Sequence, residues 1–200
     1  MRYRSCKVAE GRPGSSQMDG GHAVFLKLAQ FLEIMLYVLV AGVMWGTWLS
    51  LGRTMTQYDA ATFLADGKHM IANLGVAMAV LMIAAIMAGL LVVVTLFRYR
   101  SATAAWLALA GLLLAVAVLA VTLSVEVPID NKINGWSATT LPPDWRHIRA
   151  RWAAFHTLRT FLSLGAVAAA VGAALTAPAR RMSPREEELM SAHGTRGDHR

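Results

Sequence analysis

The chain has 200 residues and a net charge of +7, and 56% of its residues are hydrophobic while only 16% are charged. Soluble domains carry about 25% charged residues, and disordered or collagen-like chains are far less apolar, so composition favours a membrane protein. The single cysteine, Cys6, excludes an internal disulfide and a thiolate zinc cluster.

The chain begins with a polar leader that is rich in glycine and serine. We predict that residues 1–24 are disordered. Lys27 and Glu33 lie just before the first charge-free stretch, Ile34–Gly52. We therefore expect the first helix to start in the membrane interface, near residue 30.

Three more stretches are almost free of charge: Ile71–Phe97, Ser101–Val125 and Trp152–Thr176. A membrane helix needs about 20 apolar residues. We predict an all-α, four-transmembrane-helix bundle with an ordered loop between helices three and four. The predicted spans are about 30–52, 71–97, 101–125 and 152–176, followed by a polar tail, 177–200, with a short helix after Ser183.

Lysine and arginine are distributed unevenly between the two sides of this topology. Twelve lie on the side of the termini and six on the side of the first and third loops. Because positive residues concentrate on the cytoplasmic side, we predict that both termini are cytoplasmic in a bacterial inner membrane. The charge is then explained by the lipid bilayer, and we predict no nucleic-acid partner.

Small residues are spaced for close helix packing in two of the spans. Gly42 and Gly46 form a GxxxG motif in the first span, and Gly165 and Gly172 belong to a similar stripe in the fourth. Such residues let membrane helices approach closely. We expect both stripes to pack inside the bundle, with a homodimer face as the alternative.

The fourth span carries a polar and aromatic stripe on one helical face. Its members are three or four residues apart: Trp145, Arg149, Trp152, His156, Arg159 and Ser163. Asp144 precedes them as the predicted N-cap. The first and third loops share one face of the membrane, so Trp48 at the end of span one is expected near this stripe.

Arg159 lies roughly 10 Å deeper in the membrane than Trp152, at about 1.5 Å per residue. An unpaired arginine near the membrane centre costs at least ~2.5–3.5 kcal/mol. We therefore predict that Arg159 faces the bundle and pairs with Glu126 or Asp130. In the third loop we expect Pro128 to end the helix before it, with turns beyond.

His156 is the only histidine inside a predicted span, and an imidazole exchanges a proton near neutral pH. A haem would need a second, facing histidine, for which His69 is the only candidate, and a metal centre would need more histidines and carboxylates. A purely structural interpretation also stays open. In it, Arg159 holds the third loop, His156 is its hydrogen-bonded neighbour, and Trp145 and Trp152 lie in the membrane interface.

The segment V-P-I-D-N-K-I-N-G-W followed by D-W-R-x-x-R-x-R-W-x-x-x-H-x-x-R-T resembles the anthrone oxygenase family of small four-helix membrane proteins. Asp130 departs from the pattern, where asparagine is expected. The matching residues are Pro128, Asn131, Asn134, Trp136, Asp144, Trp145, Arg149, Arg151, Trp152, His156, Arg159 and Thr160.

The resemblance implies oxidation of a planar aromatic substrate, an anthrone or quinol, by molecular oxygen without metal or flavin. Such chemistry needs a base, a cation that holds a phenolate, and an apolar aromatic slot. His156, Arg159 and Arg149 match the first two needs. The predicted substrate-binding residues are Trp136, Trp145, Trp152, Asn131, Asn134 and Trp48.

Two other classes of function compete with this interpretation. One is a non-enzymatic four-helix membrane subunit or assembly module, which the sequence separates from an enzyme only through the stripe with His156 and Arg159. The other is a small-solute carrier. The chain shows no inverted repeat and no helix broken by glycine or proline, which counts against a carrier.

Overall fold

A computed structural model describes residues 20–52 and 54–177 as a bundle of helices. The predicted leader up to residue 19, including Cys6, and the predicted tail helix after Ser183 lie outside the described residues. Helix α1 begins at Gly20, so residues 20–24 are helical although we expected them in the leader.

Four long helices cross the bundle, and each is apolar and long enough to span a membrane. The chain is therefore an integral membrane protein, and the predicted four-helix architecture is confirmed. The helical segments, in chain order, are α1 (Gly20–Thr47), a π-helical turn (Trp48–Gly52), a 3₁₀ turn (Met55–Gln57), α2 (Ala60–Arg98), α3 (Ala102–Val121), a second π-helical turn (Thr122–Glu126), α4 (Val127–Gly135) and α5 (Trp145–Thr176).

The helices pack around the bundle in the order α1, α2, α3 and α5, with the α3–α5 contact the most extensive. Gly111 and Gly165 allow that close contact, since an added Cβ would meet α5 backbone and a side chain of α3 respectively. The small residues of the fourth span thus pack internally, as predicted. Gly42 and Gly46 do not, because both are exposed and an added Cβ would meet no atom within 4 Å.

Pro128 does not end the third helix, contrary to our expectation. The chain passes through the π-helical turn Thr122–Glu126 and continues as α4, with Pro128 in its first turn. A proline is tolerated there because the first N–H groups of a helix have no intrahelical partner. The connection to α5 is therefore shorter than predicted and covers residues 136–144.

Asp59 is the N-cap residue of α2, and its side chain accepts a hydrogen bond of 2.8 Å from the backbone N–H of Thr62. This bond holds the pKa of the Asp59 carboxyl below its ordinary value. Asp144 takes the N-cap position of α5, as predicted, but its side chain makes no capping bond.

Glu33 lies inside the bundle, although the sequence suggested a place in the membrane interface. It is fully buried in α1 together with Gln30 and Tyr37. Gly89 of α2 lies opposite, and a methyl group there would collide with the Tyr37 hydroxyl, so glycine is what allows this close approach. The apolar residues around these side chains form the core of the half of the bundle near the α2–α3 turn.

Candidate functional site

A cavity lies between the long helices, in the half of the bundle that faces α4 and the 136–144 connection. Its volume is about 160 Å³, and part of its wall is open to the surroundings. Ligand-binding pockets combine apolar walls with a few polar groups that fix the orientation of the ligand. Most of the wall is aliphatic, and the polar and aromatic side chains that line it are Thr47, Thr122, Glu126, Asp130, Trp152, His156, Arg159 and Phe63.

Arg159 is buried and forms an ion pair with Glu126, as predicted. Its Nη2 lies 3.1 Å from Oε2 of Glu126, and its Nη1 donates a 3.0 Å hydrogen bond to Oγ1 of Thr122. Both partners come from the π-helical turn between α3 and α4. This turn therefore brings a carboxylate and a hydroxyl to the one charged position of the fourth span.

His156 lies one helical turn before Arg159, and its environment fixes its hydrogen-bonding state. Nδ1 is 3.2 Å from Nη2 of Arg159. A guanidinium only donates hydrogen bonds, so Nδ1 accepts and the proton of the neutral ring is on Nε2. The imidazole also stacks on Trp152, with ring centroids 5.2 Å apart and an angle of 3° between the planes.

Trp152, whose ring stacks on His156, also forms a hydrogen bond with Asp130. The indole Nε1–H donates a 3.1 Å hydrogen bond to Oδ1 of Asp130, which lies in α4. An asparagine could accept the same bond through its amide oxygen. The departure from the family pattern at position 130 therefore keeps the acceptor that Trp152 needs.

Arg149 and Trp145 lie beyond the cavity, on the side of the 136–144 connection. Nη1 of Arg149 donates a 2.8 Å hydrogen bond to the carbonyl of Tyr58, and the guanidinium lies 4.7 Å from the centre of the Trp145 ring. Trp145 itself stacks on Phe63. Trp136 packs against the same group, and its carbonyl accepts a 2.7 Å hydrogen bond from Nζ of Lys68.

The remaining predicted site residues also do not line the cavity. Asn131 and Asn134 are exposed on α4. Trp48 stacks on Trp45 and donates a hydrogen bond to Oγ1 of Thr157. Of the nine predicted site residues, the cavity therefore brings together three: Trp152, His156 and Arg159.

Sequence reasoning named Glu126 and Asp130 only as partners of Arg159, and it missed the wall that α2 contributes. Met70, Leu74 and Met78 line the cavity at a spacing of four residues. A spacing of four places these residues on one face of a helix. Aliphatic residues on one face of a membrane helix can contact lipid as well as a cavity, so the sequence could not identify them as part of the cavity wall. Within residues 20–52 and 54–177, no three His, Cys, Asp or Glu side chains are grouped to hold a metal ion.

Comparison with known proteins identifies the family. The family model described as anthrone oxygenase matches residues 68–169, which is just over half of the chain and includes the middle of α2, α4 and the polar stripe of α5. No curated protein and no solved structure matches the chain. The match confirms the resemblance in the α4–α5 segment, and the chain belongs to the anthrone oxygenase family.

Proposed function

We propose that this protein is an oxygenase that oxidises a planar aromatic substrate of the anthrone or quinol type with molecular oxygen, without metal or flavin. One observation carries the proposal: an apolar cavity inside the bundle ends in a buried group of Arg159, His156 and Glu126. The apolar wall suits the ring system, and the cation suits an ionised oxygen on it.

For an anthrone, the reaction balances with oxygen as the only oxidant. A base removes one proton from the CH₂ group, and the resulting carbanion adds O₂ to give a peroxide on that carbon. The peroxide takes back the first proton from the base. Transfer of the second C–H proton to the base then forms the C=O bond and breaks the O–O bond, and the departing hydroxide takes up this second proton, so one O₂ gives one ketone oxygen and one water.

His156 is the proposed base, and Arg159 is the proposed clamp for the substrate oxygen. In the structure Nη2 of Arg159 donates a hydrogen bond to the lone pair on Nδ1 of His156. When this N–H group turns to an anionic oxygen of the substrate, the lone pair becomes available to take a proton. Binding of the correct anion would thus release the base, and Glu126 would keep the guanidinium in place.

The other predicted site residues take supporting roles in this proposal. Trp152 supplies an aromatic face beside the imidazole. Arg149 was predicted to hold the substrate, but its bond to the Tyr58 carbonyl and its contact with Trp145 favour a role in closing the end of the cavity. We propose the same role for Trp145 and Trp136.

Oxygen consumption by the detergent-purified protein tests the proposal. A hydroxylated anthrone of the emodin type is supplied under ¹⁸O₂, with protein-free and heat-treated samples as blanks for autoxidation. We expect uptake of one O₂ for each anthraquinone formed and one labelled oxygen in the product. Uptake no faster than in the blanks would contradict the proposal.

A non-enzymatic membrane module is the second candidate, and one observation favours it. Gly42 and Gly46 present an open face on α1, away from the other helices. A second copy of the chain could pack there through close backbone contact. The Gly42→Ile variant would then lose a crosslinked dimer seen with the unchanged protein, while the Gly165→Ala variant, altered inside the bundle, would keep it.

We also propose the predicted orientation, with both termini in the cytoplasm of a bacterial inner membrane. Gly21 and Gly135 are exposed at opposite ends of the bundle, and an added side chain meets no atom within 4 Å at either position. Single cysteines are introduced there after Cys6→Ser. Labelling of position 135, and not of position 21, by an impermeant thiol reagent in intact cells is expected.

A further inference from the structure

The middle of helix α2 is less deeply buried in the bundle than its two ends. The buried residues of α2 are Phe63, Leu64 and Gly67 near the start and a second group from Met82 onward. No residue from 68 to 81 is buried, which is roughly 21 Å of helix at 1.5 Å per residue. Gly75 lines the cavity in this stretch, and an added Cβ there would meet no atom within 4 Å.

The exposed residues of the cavity wall point to an opening between α2 and the segment that joins α3 to α4. On that side, Leu123 and Val127 line the cavity while 60% and 38% of their surfaces are exposed. On the side of α1, Met44 is buried and Val43 is half-buried. We call the gap between residues 71–79 and Leu123–Val127 the lateral opening.

The end of the cavity near the connection to α5 is closed. An apolar plug fills it, and Arg149 fastens this plug to the carbonyl of Tyr58 while Lys68 fastens the carbonyl of Trp136. The buried members of the plug are Met55, Phe63, Leu64, Ile129, Ile133 and Trp145. Water-soluble molecules therefore meet closed packing at this end.

We propose that the ligand of this cavity reaches it from the hydrocarbon layer through the lateral opening. The ligand class is then a molecule that dissolves in the membrane and carries an ionisable oxygen. Charge complementarity supports this class, since the cavity-lining residues at the opening are apolar except Glu126, which pairs with the buried cation, Arg159, at the inner end. This inference rests on the proposed function and specifies how the substrate reaches the cavity.

A photo-crosslinking experiment tests the opening without any ligand or turnover. Benzoylphenylalanine is placed at Met78, which lines the cavity, in protein reconstituted into phosphatidylcholine nanodiscs. The controls are Val80, which is exposed to the surroundings, and Leu64, which is buried in the plug. We expect Met78 to form lipid adducts as Val80 does. Adducts as scarce as those at Leu64 would overturn the proposal.

A second experiment narrows the opening. Gly75→Phe adds a ring at the cavity wall, and Val76→Phe adds the same ring one residue away, where the side chain is 78% exposed and does not line the cavity. Association of 1,8-dihydroxyanthraquinone is followed by quenching of tryptophan fluorescence. We expect Gly75→Phe to lower the association rate by about tenfold or more, within the range seen for variants of one site.

The two experiments separate this inference from the proposed reaction. Lipid adducts at Met78 in a protein that fails to oxidise anthrones would support the opening and contradict only the oxygenase. Equal association rates for Gly75→Phe and Val76→Phe would overturn access through the opening, even if the protein is an active oxygenase.

Discussion

The two halves of the bundle each bury a glutamate, and the two carboxylates have opposite surroundings. Glu126, beside the cavity, is 1% exposed and lies 3.1 Å from the guanidinium of Arg159. Glu33, in the other half, is fully buried, and neither of its oxygens has a hydrogen-bond partner among the described residues. Burial alone therefore does not distinguish a candidate site from the core of this protein.

The two halves differ in the groups that interact with the buried glutamate and in the size of the cavity beside it. The half with Glu126 combines a cation, an imidazole and a cavity, so a ligand could exchange contacts with groups that already interact. The half with Glu33 has Gln30 and Tyr37 as polar neighbours, set among apolar residues, and the cavity that Tyr37 lines is much smaller than the one beside Glu126. Polar groups placed together beside open space are the better indication of chemistry.

The largest expected effect comes from removing the imidazole in the half with the cavity. In His156→Gln, the amide oxygen can still accept from Arg159, but it cannot take a proton. We expect kcat for anthrone oxidation to fall by about 10²–10⁴-fold, the usual contribution of general acid–base catalysis, with an unchanged melting temperature.

Asp130→Asn is the comparison for this variant, because it removes a carboxylate and keeps an acceptor for Trp152. A loss of kcat in Asp130→Asn as large as in His156→Gln would assign the proton transfer to the carboxylate. Full activity in His156→Gln would leave the stripe of α5 with a structural role and favour the non-enzymatic module.

The next largest effect, a loss of stability, is expected when Glu126, the glutamate beside the cavity, is replaced. Glu126→Leu leaves Arg159 buried without its charged partner. Breaking a buried ion pair from one side typically costs about 3–5 kcal/mol, so we expect a loss of this size in the free energy of unfolding. The measurement is reversible denaturation in mixed detergent micelles, and an unchanged midpoint would show that Arg159 reaches solvent.

The same substitution at the other glutamate is expected to have the opposite sign. Glu33→Leu removes two buried oxygens that lack partners among the described residues. An unsatisfied buried polar group costs about 1–3 kcal/mol, so we expect a gain of this order in the free energy of unfolding. A loss of stability or of turnover in Glu33→Leu would mean that this carboxylate has a partner or a function of its own.

The sequence alone predicted the features of the structure that follow from insertion into a membrane. Charge-free stretches identified the four helices, and the cost of a lone arginine in the membrane predicted that Arg159 is buried and paired with an acid such as Glu126. Both inferences rest on the hydropathy and the charge of the residues themselves, which do not depend on how the neighbouring helices pack.

Other features depend on tertiary packing, and the sequence could not decide them. Pro128 is compatible both with the end of a helix and with the first turn of a new one, and the π-helical turn before it decided the matter. Gly42 and Gly46 suit a helix contact of either kind, inside the bundle or outside it. The cavity wall in α2 depends on where its neighbours diverge, which no local pattern records.

The smallest expected effect concerns the start of α2, where Asp59 accepts the N–H of Thr62. Because this bond lowers the pKa of the carboxyl, its stabilisation is present at neutral pH and is lost as the pH falls through the folded-state pKa. Asp59→Ala is therefore expected to lower the melting temperature slightly at pH 7, and the difference from the unchanged protein should vanish in acid. Asp144→Ala removes an acid at the N-cap of α5 that makes no such bond, so a smaller change is expected. Equal changes in the two variants at pH 7 would show that the capping bond of Asp59 contributes nothing measurable to the bundle.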